Sequence, residues 1–188
     1  MSDLQCQPTA LPGVLLLMPK LYPDPRGFFR ETYQERKLAE HGVRRTFVQD
    51  NHSRSCRHAL RGLHYQVVHP QAKLITVMRG EIFDVVVDIR RGSPTFGRHI
   101  TFTLSDVNQQ LAFIPEGFAH GFCVLSEVAD VHYKCSDYYF PADDGGVTWD
   151  DPALGIAWPT ATPILSGKDT RYPRLADIPA DRLPVYRG

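Results

Sequence analysis

The stretch ALRGLHYQ, Ala59 to Gln66, sets a histidine three residues after an arginine, with a glycine between them, in a run that otherwise reads as buried strand. An imidazole is a proton acceptor whose unperturbed pKa lies close to neutral, so His64 is the first candidate for acid–base work. Further along, Lys73 stands in QAKLITV, Asp84 and Asp88 in IFDVVVDIR, His120 in GFAHGF, and Tyr133 and Tyr139 in VHYKCSDYYF. Ammonium, carboxylate, imidazole and phenol together can take, hold and return protons. Singly, each has an ordinary structural use. A strand histidine is commonly a hydrogen-bonded core or surface residue. That reading covers His41, His52, His58, His69 and His99, which sit near turns or among polar neighbours. Tyrosines pack as aromatics, the aspartates suit a half-wet sheet, and Lys73 suits a strand edge that discourages aggregation.

Strand parity sorts these candidates by face, because residues two apart point the same way. Tyr133, Cys135, Asp137 and Tyr139 share one face, so both tyrosines are expected to look into one cavity. His120 goes with Phe118, Phe122 and Val124, and His64 goes with Gly62 and Gln66. Asp84, Val86 and Asp88 share a face that need not be wet. Arg61 falls opposite His64 if the strand is regular. Either a bulge near Gly62 turns it back, or Arg61 serves another site, a neighbouring subunit's among the options.

The elements that position these residues are short and β-rich. From Phe47 onward, runs of Val, Ile, Phe and Thr alternate with turn clusters such as MRGE, RRGSPTFG, LSDVNQ and PEGF. A turn recurring every ~8–12 residues is the mark of an all-β sandwich or barrel. One helix is expected early, in ETYQERKLAEHG, with Thr32 and Glu35 at capping-box spacing and Gly42 as its stop. After Tyr139 the chain turns proline-rich and is expected to wrap the barrel as an irregular tail with short helical turns. The organisation expected is one domain: an N-terminal arm over 1–46, a core over about 47–140 and a tail over about 141–188.

Composition excludes several classes. The 188 residues carry 21 basic and 21 acidic side chains, so no basic footprint for nucleic acid exists. No apolar run is long enough for a membrane-spanning helix. The apolar run Val14 to Met18 is short and flanked by Pro12 and Pro19, unlike a signal peptide. Cys6, Cys56, Cys123 and Cys135 show no CxxC spacing and read as reduced thiols of a cytoplasmic protein.

One motif has the spacing of a metal site. PEGFAH, Pro115 to His120, has the P-x-G-x-x-H spacing of the second metal motif of cupin barrels. The first motif needs an H-x-H pair, and here the matching place holds His64-Tyr65-Gln66. A catalytic transition metal wants three or four protein ligands, and His64 and His120 have no evident third. The reading is a cupin-like barrel with its cavity kept, used for acid–base chemistry by side chains.

The ordered pieces DPRGFFRETY, FVQDNHSRS, LRGLHYQ, KLITVMRGEIFDVVVDIRRGSPTFG, IPEGFAHGF, YKCSDYY, WDDPALGIAWP and LSGKD resemble the dTDP-4-dehydrorhamnose 3,5-epimerase family over nearly the whole chain. The resemblance implies a jelly-roll barrel with a few short peripheral helices. It also implies a homodimer that exchanges N-terminal strands, and no metal or organic cofactor. It implies a base at His64 supported by Asp169, an acid at Tyr133, an enolate-stabilising Lys73 and a nucleotide-stacking Tyr139. Arg26, Glu31, Gln49, Asn51, Arg61, His120 and Lys168 match substrate-contacting positions. Where relatives often carry a Glu after the paired tyrosines, this chain has Asp143 and Asp144, with Asp144 as the expected contact. The His64–Lys73 loop is a residue shorter than in many relatives.

The implied reaction inverts C3 and C5 of dTDP-4-dehydro-6-deoxy-D-glucose to give dTDP-4-dehydro-L-rhamnose, as in dTDP-L-rhamnose or related deoxysugar biosynthesis. Both carbons are α to the C4 ketone, so their protons are weakly acidic. A base removes a proton from one face, an acid returns one on the other, and a cation holds the enolate between the two steps. Competing readings are an epimerase of C3 or C5 alone or of another nucleotide sugar, a sugar-binding cupin without activity, and a metal-dependent cupin.

Overall fold

The computed structural model describes residues 3–187. An N-terminal arm forms β1 (Leu4–Pro8), β2 (Leu15–Pro19), the hairpin β3 (Leu21–Asp24) and β4 (Gly27–Arg30), and a short helix α1 (Glu35–Glu40). The middle of the chain forms β5 (Gln49–Cys56), β6 (Leu60–Gln66), β7 (Lys73–Arg79), β8 (Glu81–Asp88), β9 (His99–Ser105), β10 (Leu111–Ile114), β11 (Phe118–Val124) and β12 (Val128–Cys135). The last stretch adds β13 (Asp144–Gly146) and single 3₁₀ turns such as Asp169–Arg171.

These strands make two antiparallel sheets. One runs β1-β2-β10-β7-β12-β5 and the other β13-β6-β11-β8-β9. Facing each other, they form a jelly-roll barrel, which agrees with the turn spacing of the sequence. The barrel interior is apolar toward one end, where Ile75 and Val77 of β7 meet Val86 of β8, Phe118 and Phe122 of β11, and Val131 of β12. Toward the other end the inward positions become polar, and a cavity opens.

Both outer faces are also covered, which explains the nearly continuous apolar run of β8. Val85 and Val87 point away from the interior and pack under the tail, against Leu154, Leu175, Ile178 and Leu183. Val85, Val86 and Val87 are all fully buried, and each such side chain contributes about 1.5–3 kcal/mol relative to exposure. On the six-stranded sheet, Leu38 of α1 and Val43 cover Leu74, Leu111 and Phe113.

The helix starts later than the sequence suggests. Its N-cap is Gln34, which is extended and makes no side-chain cap, so Thr32 and Glu35 form no capping box. The helix is held by burial of Leu38 and by its C-terminus instead. There Gly42 takes φ +84°, while its amide and that of Val43 donate to the carbonyls of Ala39 and Leu38. That is a Schellman closure, which favours glycine at the left-handed position. All four cysteines are free, and each lies in a strand. Among the described residues no helix is long and apolar enough to cross a membrane.

Candidate active site

Two adjoining hollows lie between the sheets, sharing His64, Lys73 and Tyr133. The inner one, about 120 Å³, is lined also by Ser53, Arg61, His120 and Phe122. The outer one, about 310 Å³, is lined by Gln49, Asn51, Gln71, Tyr139, Asp144 and Lys168 among others. The two walls belong to different sheets. His64 and His120 come from β6 and β11, whereas Asn51, Lys73 and Tyr133 come from β5, β7 and β12. Tyr133 and Tyr139 do face one cavity, but β12 ends at Cys135, so Tyr139 comes there from irregular chain and not by strand alternation.

A bulge brings Arg61 to the same side as His64. In the β6–β11 ladder His64 pairs with His120 and Arg61 with Phe122, so β6 spends one residue more than β11 over this interval. Gly62 absorbs it at φ +118°. A Cβ there would lie 2.6 Å from Gly121 Cα and 2.7 Å from the His120 carbonyl oxygen, so neither a side chain nor a wider spacing is available. Of the two alternatives left by the sequence, the bulge is the one realised. Arg61 Nε donates to Ser55 Oγ at 3.0 Å.

His64 is bound through Nε2 to Asp169 Oδ1 at 2.6 Å. The partner arrives from the tail, 105 residues further along the chain. Burial alone would raise the Asp169 carboxyl. The hydrogen bond and charge of His64, together with Ser166 and Lys168, outweigh that and hold it below its ordinary value. An ionised carboxylate at Nε2 fixes the proton there and leaves Nδ1 as the ring's acceptor. On the facing wall the Tyr133 phenol is pushed up, chiefly by burial and then by Cys135, against a smaller opposite pull from Arg61. It remains a protonated donor, and among the described residues no protein group takes its hydroxyl. Lys73 lies with Nζ 5.5 Å above the Tyr133 ring and donates to Gln71 Oε1 at 2.9 Å. Burial lowers the lysine's pKa, opposed by Cys135 and Asp144.

The second histidine is also paired. His120 Nε2 sits 2.8 Å from Asp84 Oδ2, and Asp84 is fully buried, with Oδ1 unpartnered. The dry carboxylate face suspected in IFDVVVDIR is therefore real. Asp88 on the same strand accepts from the Arg90 guanidinium and amide and from Ser93 and Thr95. It braces the fold and does not line the cavity. Among the described residues no cluster of three or more His, Cys, Asp or Glu is placed to hold a metal ion.

At the outer rim Lys168 Nζ donates to Asp144 Oδ1 at 2.9 Å, and Tyr172 donates to Asp144 Oδ2 at 3.0 Å. Asp143 does not face the cavity. Its carboxylate accepts the amides of Val67, Val68 and His69, capping the loop between β6 and β7. The Tyr139 amide donates to Gln49 Oε1, whose amide donates to Asn51 Oδ1; its ring is half exposed at the mouth. Arg26 and Glu31 are not brought in. Arg26 pairs with Asp24 at the tip of the β3–β4 hairpin, and Glu31 pairs with Lys37 of α1. Arg26 is on an exposed hairpin and Glu31 lies beside Lys37, Leu17 and Leu111, away from the hollows between the sheets, so neither lines the cavity of its own chain. Tyr172 escaped the sequence reading. Its ring meets His64 edge-on at 5.7 Å between centroids, and it fills the space above Gly146, where a Cβ would lie 2.5 Å from it.

The fold and cavity define a cupin-like jelly-roll barrel equipped for proton transfer by side chains, with an imidazole–carboxylate pair on one wall and a phenol and an ammonium on the other. Residues 8–177 match the family described as dTDP-4-dehydrorhamnose 3,5-epimerase, and the chain belongs to that family. It is 47% identical over 182 residues to the dTDP-4-dehydrorhamnose 3,5-epimerase of Methanothermobacter thermautotrophicus, covering 95% of this chain and 98% of that one. It is 55% identical over 162 residues to the Neisseria gonorrhoeae enzyme of that name, covering 86% of this chain; the match spans only 49% of that relative's length. The crystal structure of dTDP-6-deoxy-D-glucose-3,5-epimerase from Legionella pneumophila Philadelphia 1, in complex with dTDP-4-keto-L-rhamnose, superposes with a TM-score of 0.96 at 46% identity, over 98% of this chain and 100% of that one.

Proposed function

We propose that this protein epimerises C3 and C5 of dTDP-4-dehydro-6-deoxy-D-glucose, giving dTDP-4-dehydro-L-rhamnose for deoxysugar biosynthesis. The observation that carries this reading is the placement of an Asp169-bound imidazole and an unengaged phenol on opposite sheets of one cavity. A sugar ring between them presents one face to each. His64 Nδ1 takes the proton α to the C4 ketone, and the bonding pair moves into the ring as an enolate. Lys73 stabilises the oxyanion, and Tyr133 delivers its proton to the carbon from the other side. The phenolate and the imidazolium then reset by exchange with water, and the sequence repeats at the second carbon. A preorganised cation acts on such a charge far more strongly in a secluded cavity than in water. His120, Gln49 and Asn51 line the space for the sugar and its nucleotide, Arg61 and Lys168 supply positive charge for the diphosphate, and Tyr139 stacks on the base at the mouth.

The same reading makes the β3–β4 hairpin a dimer element. Tyr22, Phe28 and Phe29 are 41%, 57% and 68% exposed on it, and a second copy is the partner that would cover them and receive Arg26 and Glu31 at its cavity. Sedimentation of a Phe28→Ser, Phe29→Ser variant should report a monomer where the parent is dimeric. Free thiols fit a reducing, cytoplasmic setting.

Inversion at C3 alone is the second reading, favoured by 41% identity to the dTDP-4-dehydrorhamnose 3-epimerase of Streptomyces niveus, over 97% of this chain and 90% of that one. Incubation with dTDP-4-dehydro-6-deoxy-D-glucose in deuterated water separates the two. Inversion with deuterium at both carbons supports the first reading, inversion at C3 only supports the second, and neither inversion nor exchange refutes both.

A further inference from the structure

Most ionisable groups around the cavity are paired with an opposite charge. His64 has Asp169, His120 has Asp84, and Lys168 has Asp144. Lys73 is different. Among the described residues it makes no ion pair, and its oxygen acceptor is a neutral amide, Gln71 Oε1 at 2.9 Å. Its next contact is the thiol of Cys135 at 4.0 Å. The amide is itself held in place: Gln71 Nε2 donates to the carbonyl of Asp137 at 2.9 Å. Between the two residues Ala72 is fully buried, and its amide is tied to Ser136 Oγ at 2.8 Å. Gln71 and Lys73 lie two apart at the start of β7, and both line the outer hollow.

We infer that Gln71 is the positioning residue of Lys73, a neutral acceptor that fixes the ammonium in the cavity while leaving its charge unspent for the substrate oxyanion. This rests on the role proposed for Lys73. A carboxylate in the same place would hold the ammonium at least as firmly, because a charged hydrogen bond is stronger than a neutral one. It would also cancel most of the field that the lysine sets up at the sugar oxygen. Holding the lysine and using its charge are therefore separable, and one isosteric change separates them.

Gln71→Glu should lower kcat by about 10–100-fold, a fraction of the 10²–10³ that loss of a whole oxyanion donor costs. Gln71→Met, which removes the acceptor and adds no charge, should lower it less. The KM for the nucleotide sugar should move little in Gln71→Met, since a contact made only with the developing charge appears in kcat. Lys73→Met gives the loss of the whole cation, and adding Gln71→Met to it should cost nothing further, because the neutral acceptor acts only through the ammonium. Thermal unfolding of each variant identifies one that has failed to fold, and Gln71→Glu still tests the charge argument if Gln71→Met is the one lost. A purely structural role for Gln71 predicts the reverse order, with Gln71→Glu near wild type and Gln71→Met impaired; that order, or full turnover in both, overturns the inference. If Lys73→Met loses turnover while Gln71→Glu keeps it, only the role of Gln71 falls. If Lys73→Met keeps turnover, the lysine's role falls and the inference with it.

Discussion

Asp169→Asn puts the proposed base under direct test. The carboxylate lies 2.6 Å from His64 Nε2 and is 2% exposed, so water screens the pair weakly. A base acts from its neutral form, and once His64 has taken a proton Asp169 faces an imidazolium. With about 4 Å between the charge centres and an effective dielectric of about 20, that attraction is worth roughly 4 kcal/mol. Asparagine matches the shape but supplies none of the charge. Its NH₂ can also donate to Nε2, which moves the ring proton to Nδ1, the nitrogen that must be bare. At 1.36 kcal/mol per decade, the loss of charge alone corresponds to about a 10³-fold fall in kcat. KM should change little, because the missing interaction belongs to the state after proton transfer. Initial rates of inversion followed by proton NMR, with deuterium wash-in at C3 and C5 as a second readout, measure both quantities. A variant that keeps more than about a tenth of the wild-type kcat, far above the range for losing a general base, would remove Asp169 from the chemistry. His64→Ala should fall at least as far, and a milder loss there would reject His64 as the base.

Tyr133→Phe should retain deuterium exchange at C3 or C5 and lose most inversion, since the base and Lys73 survive while the donor on the opposite wall is gone; inversion of both centres near the wild-type rate would reduce Tyr133 to packing. Tyr139→Ala should weaken free dTDP by roughly 5–150-fold, on the scale of about 1–3 kcal/mol for stacking a base on an aromatic ring, and equal affinities in calorimetry would end the stacking role. Asp88→Ala should destabilise the fold by up to about 3–5 kcal/mol in urea titration, because it strands the Arg90 guanidinium, only 15% exposed, and leaves Ser93 and Thr95 without their acceptor. Burial pushes the Asp88 carboxyl up, but Arg90, Ser93 and Thr95 outweigh it and leave its pKa lowered. Its stabilising effect is therefore fully present above the unfolded carboxylate value of about 3.9 and is lost as pH falls through the lower folded value. Asp88→Asn should accordingly show a shallower loss of stability below about pH 4 than wild type, and parallel acid profiles would refute that assignment.

Much of this protein is legible along the chain because strand geometry is local. Alternation by two placed Phe118, His120 and Phe122 on one face without knowledge of any partner, whereas Tyr139 reaches the cavity of Tyr133 from beyond the end of β12. Turn spacing was enough for an all-β sandwich or barrel, and the order of short pieces was enough for the family and with it the jelly roll. What needed the tertiary structure is whatever depends on two distant segments at once. The side to which Arg61 points is decided by a one-residue register shift against β11, which no property of ALRGLHYQ reveals by itself. Asp143 and Asp144 are adjacent and chemically alike, yet one caps a loop and the other meets Lys168 and Tyr172, because a 3₁₀ turn ends between them and β13 begins. Thr32 and Glu35 have the spacing of a cap, but the chain stays extended through Gln34, and burial of Leu38 decides where α1 begins. Arg26 and Glu31 match substrate-contacting positions and yet lie on an arm outside their own cavity. Lys73 is a strand-edge charge by its sequence neighbours alone; it becomes a half-buried, unpaired ammonium only because β12 lies beside β7 and the facing sheet and tail wall the hollow it enters, since burial and charge pairing are properties of packing and not of spacing.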